Sequence, residues 1–370
     1  MSSSDHPLSL AILGTRGVPP RYGGFETFAA ELGSRLVARG HDVTVYCRSH
    51  LYPDRAPTWE GIRLVHLPAI RHKYLETVSH ALLSAVHALG RRYDAILLCN
   101  AANAAVLPLL RATGAPVATN VDGIERMRRK WNVLGRLVYR GGEALASSLS
   151  SRLVADAETI AAYYRRELGA DPAVIAYGAD FPDEPDSDVL RRLGVAPDGY
   201  ALYVSRFEPE NHPLEVALAW GRLETDLPLV MVGSAPYAGD LIRRVREAAD
   251  SRVLLPGALY GRDYRTLQRH ARLYIQATEV GGTHPALIEA MGSNGRVLAL
   301  DTPENREVGG EAVRYFRFDG EPRLERVAAE ALADPSGLPR EAARRRAGER
   351  YRWEAVTDAY ERLLREIARQ

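Results

Sequence analysis

Residues 276–296 read QATEVGGTHPALIEAMGSNGR. The apolar run 272–277 that leads into them predicts a strand. Gly281-Gly282-Thr283 interrupts it, and Pro285 opens a helix carrying Leu287, Ile288 and Met291. Strand, glycine turn and helix make a phosphate-binding layout, because glycine lets the backbone approach a ligand and the unpaired N–H groups at the helix start favour an anion. Glu289, one turn in, is poorly placed for phosphate and well placed to accept hydrogen bonds from sugar hydroxyls. The pattern suggests a nucleotide-sugar site, with diphosphate on the helix end and ribose on Glu289. An ordinary strand-to-helix turn with a surface Glu fits this stretch as well.

Working outward, 370 residues exceed one ordinary domain and predict two. Strand and helix patterns alternate from strand 8–14 onward, through the turn and strand 40–47 and strands 62–67, 95–99, 117–121, 152–155 and 173–177, with helices 75–89, 104–111, 133–147 and 158–168. The acidic, proline-containing stretch after residue 178 breaks the alternation. It resumes with strands 200–204, 227–232, 253–255 and 297–300 and helices 214–223, 240–248 and 264–270. Such alternation means α/β domains with parallel, doubly wound, Rossmann-like sheets. The expected division is an N-terminal domain 1–178, a linker 179–199, a C-terminal domain 200–351 and a helix within 352–370. Val356, Tyr360, Leu363, Leu364 and Ile367 place one apolar stripe on that helix, which is expected to cross back to the first domain.

Composition excludes several classes. A formal charge of +1 argues against a nucleic-acid binder. No apolar stretch approaches the roughly 20 residues that span a bilayer, and residues 1–6 lack an export signal's pattern, so a soluble cytoplasmic protein is expected. Cys47 and Cys99 both end predicted strands and read as buried thiols. Only Lys73 and Lys130 are lysines among 48 basic residues. No Walker lysine and no dinucleotide fingerprint is present. With no His-Cys cluster, no metal and no cofactor is expected.

Open parallel sheets bind ligands beyond the carboxyl ends of their strands. Those ends carry Gly14, Asn100, Asn120, Asp122 and Asp156 in the first half, and Ser205, Arg206, Gly233, Thr278, Glu279 and Asp301 in the second. Arg206 follows a strand and precedes a helix, so its guanidinium could reach a diphosphate held at the glycine turn. Asp122 before Gly123 reads equally as a turn residue, Asp156 as a helix cap, and Asn211 as a cap of the helix at Pro213.

Four stretches give a family resemblance: GTRGVPPRYGGFE (14–26), NVDGIERMRRKW (120–131), SRFEPEN (205–211) and VGGTHPALIEAMG (280–292), with DTPENREV (301–308) weaker. The chain resembles retaining nucleotide-sugar glycosyltransferases of the GT-B fold, and among them bacterial rhamnosyltransferases of cell-surface polysaccharide synthesis. The resemblance implies two Rossmann-like domains facing across a cleft. It implies transfer of a sugar, rhamnose from dTDP-rhamnose, to a glycan or lipid-linked acceptor with retention. Arg206, Asn211, Gly281, Gly282, Thr283 and Glu289 would hold the nucleotide sugar, with Gly23 and Gly24 closing over the leaving phosphate. Asp122, Arg206 and Glu279 would be catalytic.

This chain departs from the wider pattern in three places. The usual Glu-x7-Glu would put its first Glu at Gly281, leaving Glu279 as the substitute. Asn211 stands where a Lys usually partners the Arg, and Asp122 where many relatives carry His. On the acceptor side, the resemblance points to Asn120, Glu125 and Asp156. Arg128, Arg129 and Lys130, with Arg126, Arg136 and Arg140, could meet an acceptor's phosphates or an anionic membrane. A solvated basic face is the plain alternative. Two other functions remain, a nucleotide-sugar epimerase and a non-catalytic sugar-nucleotide binder.

Overall fold

The computed structural model describes residues 6–21, 23–72, 75–124, 133–182, 185–234 and 239–369. Along the chain the strands are β1 (Ser9–Leu13), β2 (Asp42–Arg48), β3 (Thr58–Trp59), β4 (Ile62–Leu67), β5 (Ala95–Cys99), β6 (Val117–Asn120), β7 (Arg152–Ala155) and β8 (Ala173–Val174). There follow β9 (Ala201–Val204), β10 (Leu229–Val232), β11 (Val253–Gly257), β12 (Leu273–Gln276), β13 (Val297–Leu300) and β14 (Arg314–Phe316). They form an eight-stranded sheet in the order β3-β4-β2-β1-β5-β6-β7-β8 and a six-stranded sheet in the order β11-β10-β9-β12-β13-β14. Every pairing is parallel except the short β3–β4 hairpin.

The chain divides into two compact units. One is Met1–Gly178 with Trp353–Gln370, the other Ala179–Arg352. In the first, the period-two alternation of β1 sends Leu10 and Ile12 to one face and Ala11 and Leu13 to the other. The first face is covered by the helices Gly24–Ala38 and Trp353–Ala368, whose Val356, Tyr360, Leu363, Leu364 and Ile367 are buried there. Burial of each such side chain contributes roughly 1.5–3 kcal/mol, which is why the terminal helix lies on this sheet. Polar bonds fix its register: Asn120 Nδ2 donates to Tyr360 Oη at 2.7 Å, and Glu361 accepts from Arg39 at 2.9 Å and from His41 at 3.1 Å.

Both thiols are buried and free, and burial pushes the Cys47 thiol up to about 11. The stretch expected to be a linker is partly structured. Residues Val189–Leu193 form a helix, Ser187 N–H donates to Thr266 Oγ1 at 3.0 Å, and Asp198 N–H donates to the His270 carbonyl at 2.9 Å. One buried residue, Val189, on a five-residue helix is too little periodicity to be read from sequence.

Candidate functional site

In the second unit β9 lies between β10 and β12, so the direction of winding reverses between β9 and β12. The crevice outside such a switch point is where open α/β sheets place ligands. The two segments that leave β9 and β12 carry Arg206 and Glu279, and they are joined directly: Glu279 N–H donates to the Glu210 carbonyl at 2.9 Å.

Arg206 is fixed through its backbone. Its carbonyl accepts from Asn211 Nδ2 at 2.6 Å and from Ser205 Oγ at 2.9 Å. Tyr203, fully buried in β9, donates to the Asn211 carbonyl at 2.6 Å. The side chain stays 37% exposed, with its guanidinium 4.0 Å from Glu208. The side chain of Asn211 therefore braces Arg206. The cap of the helix Pro213–Arg222 is His212, at φ +55°. His212 Nε2 lies 3.1 Å from Glu279 Oε2, so the carboxylate expected to replace the missing first Glu has a basic partner.

After β12 the chain passes Gly281, Gly282 and Thr283 into the helix Pro285–Ser293. A Cβ at Gly281 would lie 2.6 Å from His284 Nε2, so the turn is packed too tightly for a side chain. His284 Nδ1 is 2.8 Å from Asn305 Oδ1. The Asn305 amide, fully buried, donates to the carbonyls of Thr278 at 3.1 Å and Leu300 at 2.9 Å. Asn305 thus holds both ends of the turn. Pro285 begins the helix, with Leu287, Ile288 and Met291 buried beneath it, and the cap residue His284 spends no side-chain bond on its first N–H groups.

Glu289 accepts a short hydrogen bond from Tyr264 Oη, which in turn accepts from Gln268 Nε2 at 2.7 Å. Nearby, burial raises the Glu304 carboxyl above its ordinary value against hydrogen bonds from its own N–H and Thr302, and the charges of Glu307 and Glu279 push the same way. Asp301 is held below the usual range by hydrogen bonds from Arg306 and Arg317, so it is an ion-pair anchor for its loop.

The first unit reverses its winding between β1 and β5. Gly14 after β1 sits at φ +89°, and a Cβ there would lie 2.2 Å from the Cys99 carbonyl. Asn103 Nδ2 bonds that same carbonyl at 2.8 Å and the Gly14 carbonyl at 3.2 Å. Gly23 and Gly24 begin the helix Gly24–Ala38, and Tyr177 Oη donates to the Gly24 carbonyl at 2.9 Å. Glu26 is buried and accepts from Arg16 N–H at 2.9 Å. Burial raises its pKa, against the Arg16 hydrogen bond and the charges of Arg16 and Arg48.

Asn120 is committed on both sides, donating to Tyr360 and accepting from Asp122 N–H at 2.9 Å. Asp122 itself is part-exposed at φ +53°, a conformation Asp tolerates better than most residues. Asp156 is buried, and the N-cap of the following helix is Ala157. Glu125, Arg126, Arg128, Arg129, Lys130 and Trp131 lie outside the described residues. Among the described residues no cluster of three His, Cys, Asp or Glu could hold a metal.

Two parallel-sheet domains with these reversals and strand-end loops define the GT-B fold. Residues 23–178 match the family model described as Glycosyl transferase 4-like domain. Solved structures agree in fold at low identity. The sucrose-phosphate synthase of Thermosynechococcus elongatus superposes with a TM-score of 0.83 at 18% identity, over 97% of this chain and 99% of that one. The Anabaena protein HepE in complex with UDP-glucose gives 0.76 at 17% identity, over 98% and 100%. A UDP-forming α,α-trehalose-phosphate synthase from Burkholderia vietnamiensis gives 0.68 at 13% identity, over 98% of each chain. No curated protein sequence matches this chain.

His212, Tyr264, Asn103 and Asn305 were not singled out from sequence. Only Asn305 lay in a motif, DTPENREV.

Proposed function

We propose that this protein is a retaining glycosyltransferase that moves a sugar from a nucleoside-diphosphate donor to a hydroxyl of a glycan or lipid-linked acceptor. The observation that carries the reading is the grouping at the β9/β12 switch point. A guanidinium (Arg206), a helix start whose cap residue His284 makes no side-chain cap bond (Pro285–Ser293) and a carboxylate oriented by tyrosine (Glu289) belong there to one unit. Solved structures of the same fold include one in complex with UDP-glucose, which supports a donor of this class.

Arg206 and the N–H groups near Thr283 then stabilise charge growing on the leaving diphosphate, and Glu289 accepts from the ribose hydroxyls. Glu279, steadied by His212, faces positive charge developing on the sugar. Asp122 orients the acceptor hydroxyl or takes its proton. The four sequence stretches favour rhamnose as the sugar, from dTDP-rhamnose, in cell-surface polysaccharide synthesis. No step in this reading uses a metal.

The test is nucleoside diphosphate release from dTDP-rhamnose and UDP-glucose, with and without a panel of glycan and lipid-linked acceptors, followed by NMR of the product's anomeric centre. Release that needs acceptor and keeps the donor's anomeric configuration supports the proposal. Diphosphate release without acceptor identifies a hydrolase, conversion of the donor into another nucleotide sugar without release an epimerase, and binding without turnover across the panel a sugar-nucleotide binder.

A further inference from the structure

The helix Glu76–Leu89 in the first unit reverses the usual order of side chains. Its buried positions are small or polar: His80, Ala81, Ser84, Ala85 and Ala88. Its large apolar residues face outward, with Leu75 47%, Val78 48%, Leu82 47%, Val86 51% and Leu89 44% exposed. Spacings of three and four put these five on one stripe, and Leu83 widens it. An isolated exposed Leu needs no explanation, whereas a continuous stripe of them marks an interaction surface.

A second helix, Val133–Leu149, packs against the same segment, residues 101–111, and adds its apolar residues beside basic ones. Val133 is 83%, Leu137 66% and Val138 61% exposed, interleaved with exposed Arg136 and Arg140. Exposed Arg71 precedes the first helix, and exposed Arg91 and Arg92 follow it.

Acidic groups on both helices are turned inward. Glu76 is ion-paired with Arg48 at 3.0 Å and His50 at 3.1 Å, and Glu143 is buried and accepts from Tyr163 Oη at 2.7 Å. Exposed Asp94, past the end of the first helix, accepts from Ser9 N–H at 2.7 Å. The exposed sides of the two helices, which flank the same segment, are therefore leucine and valine with arginine between them and at their ends.

That combination selects the occupant. A second copy docked by two-fold symmetry would bring the same arginines near their own images. A bilayer containing anionic lipid satisfies both features, since the apolar side chains enter the acyl boundary while the guanidinium groups meet phosphates. No helix among the described residues is long and apolar enough to cross a membrane, so the contact belongs at the interface.

We infer that the helix Glu76–Leu89, together with Val133, Arg136, Leu137 and Arg140, is a docking surface for anionic phospholipid bilayers. Of the cations that the sequence suggested for membrane contact, Arg136 and Arg140 alone are described, and the apolar helix carries the greater part of the surface. The inference does not depend on the chemistry assigned to the second unit.

The experiment is flotation of the full chain with vesicles of pure phosphatidylcholine and of phosphatidylcholine containing phosphatidylglycerol. Binding is expected to the anionic vesicles and to weaken with added salt. Leu82→Ser with Val86→Ser, both at exposed positions, and separately Arg136→Ala with Arg140→Ala, should each weaken it roughly ten-fold or more. Unchanged thermal midpoints establish folding, with Val86→Ser alone as the milder apolar variant. Absence of binding to anionic vesicles, or equal binding by the folded variants, overturns the inference. So does a dimer in sedimentation velocity that Leu82→Ser dissolves, since the stripe would then belong to a second copy.

Discussion

His212 Nε2 stands 3.1 Å from Glu279 Oε2, linking the segment after β9 to the segment after β12 by side chains as well as by the Glu279–Glu210 backbone bond. In the proposed reaction the negative charge of Glu279 matters most while the sugar carries positive charge. Glu279→Gln should leave nucleoside diphosphate affinity within about two-fold and reduce single-turnover transfer at least roughly ten-fold. Calorimetry and quenched-flow transfer check the two halves. Full transfer activity would leave Glu289 as the functional glutamate of the pair.

Tyr264 orients Glu289 through a hydrogen bond to a charged group. Tyr264→Phe removes one donor while keeping the ring, so nucleoside diphosphate binding should weaken roughly three- to ten-fold, and thermal stability should fall by about 1 kcal/mol. Glu289→Gln should weaken the same binding by at least as much. Unaltered affinity in both variants would separate Glu289 from the ribose.

Asp122 sits past the end of β6 with a positive φ, and its N–H is held by Asn120. Asp122→Asn keeps the shape and removes the charge. Transfer is expected to fall roughly 100-fold with donor affinity intact, as on loss of a positioned acid–base group. Steady-state kinetics with a saturating acceptor reads this, and full activity would make Asp122 a turn residue.

Glu361 anchors the terminal helix. Burial pushes its carboxyl up, but hydrogen bonds from Arg39, His41 and Arg365 outweigh this and hold it at about 2, against an ordinary value of 4.5. A carboxyl depressed in the folded state stabilises fully above its unfolded pKa, and the contribution is lost as pH falls through the folded one. Glu361→Gln should therefore cost about 2 kcal/mol at neutral pH, below the full linkage value because Arg39 is partly solvated. The gap between the two proteins should close between about pH 4.5 and 2, as read by thermal melts across that range.

The alternation of strands and helices was legible because most strands are apolar runs of four to seven residues and most long helices bury an apolar stripe. Val189–Leu193, β3 and β14 escaped because they offer too few residues for a period, and the longer helices Leu324–Ala333 and Arg340–Arg350 were not read either, the second because it buries only Ala343 and Ala347 and shows no apolar stripe. At the candidate site, the sequence marks the residues that carry their own chemistry, Arg206, Glu279 and Glu289. Their partners could not, because His212, Tyr264 and Asn305 meet them or their turn across 67, 25 and 21–27 positions of sequence. The bond that holds Asn120 was hidden for the same reason. Its partner, Tyr360, is 240 residues away.

The most direct test of the donor site is calorimetric titration of the protein and of Arg206→Ala with a series of nucleoside diphosphates. A hydrogen bond to a charged group is worth about 1.5–3 kcal/mol, so the wild type should bind at least one of them and the variant should bind it roughly 10- to 100-fold more weakly. Binding of equal strength in the two proteins, or no nucleoside diphosphate binding by the wild type, would contradict the account.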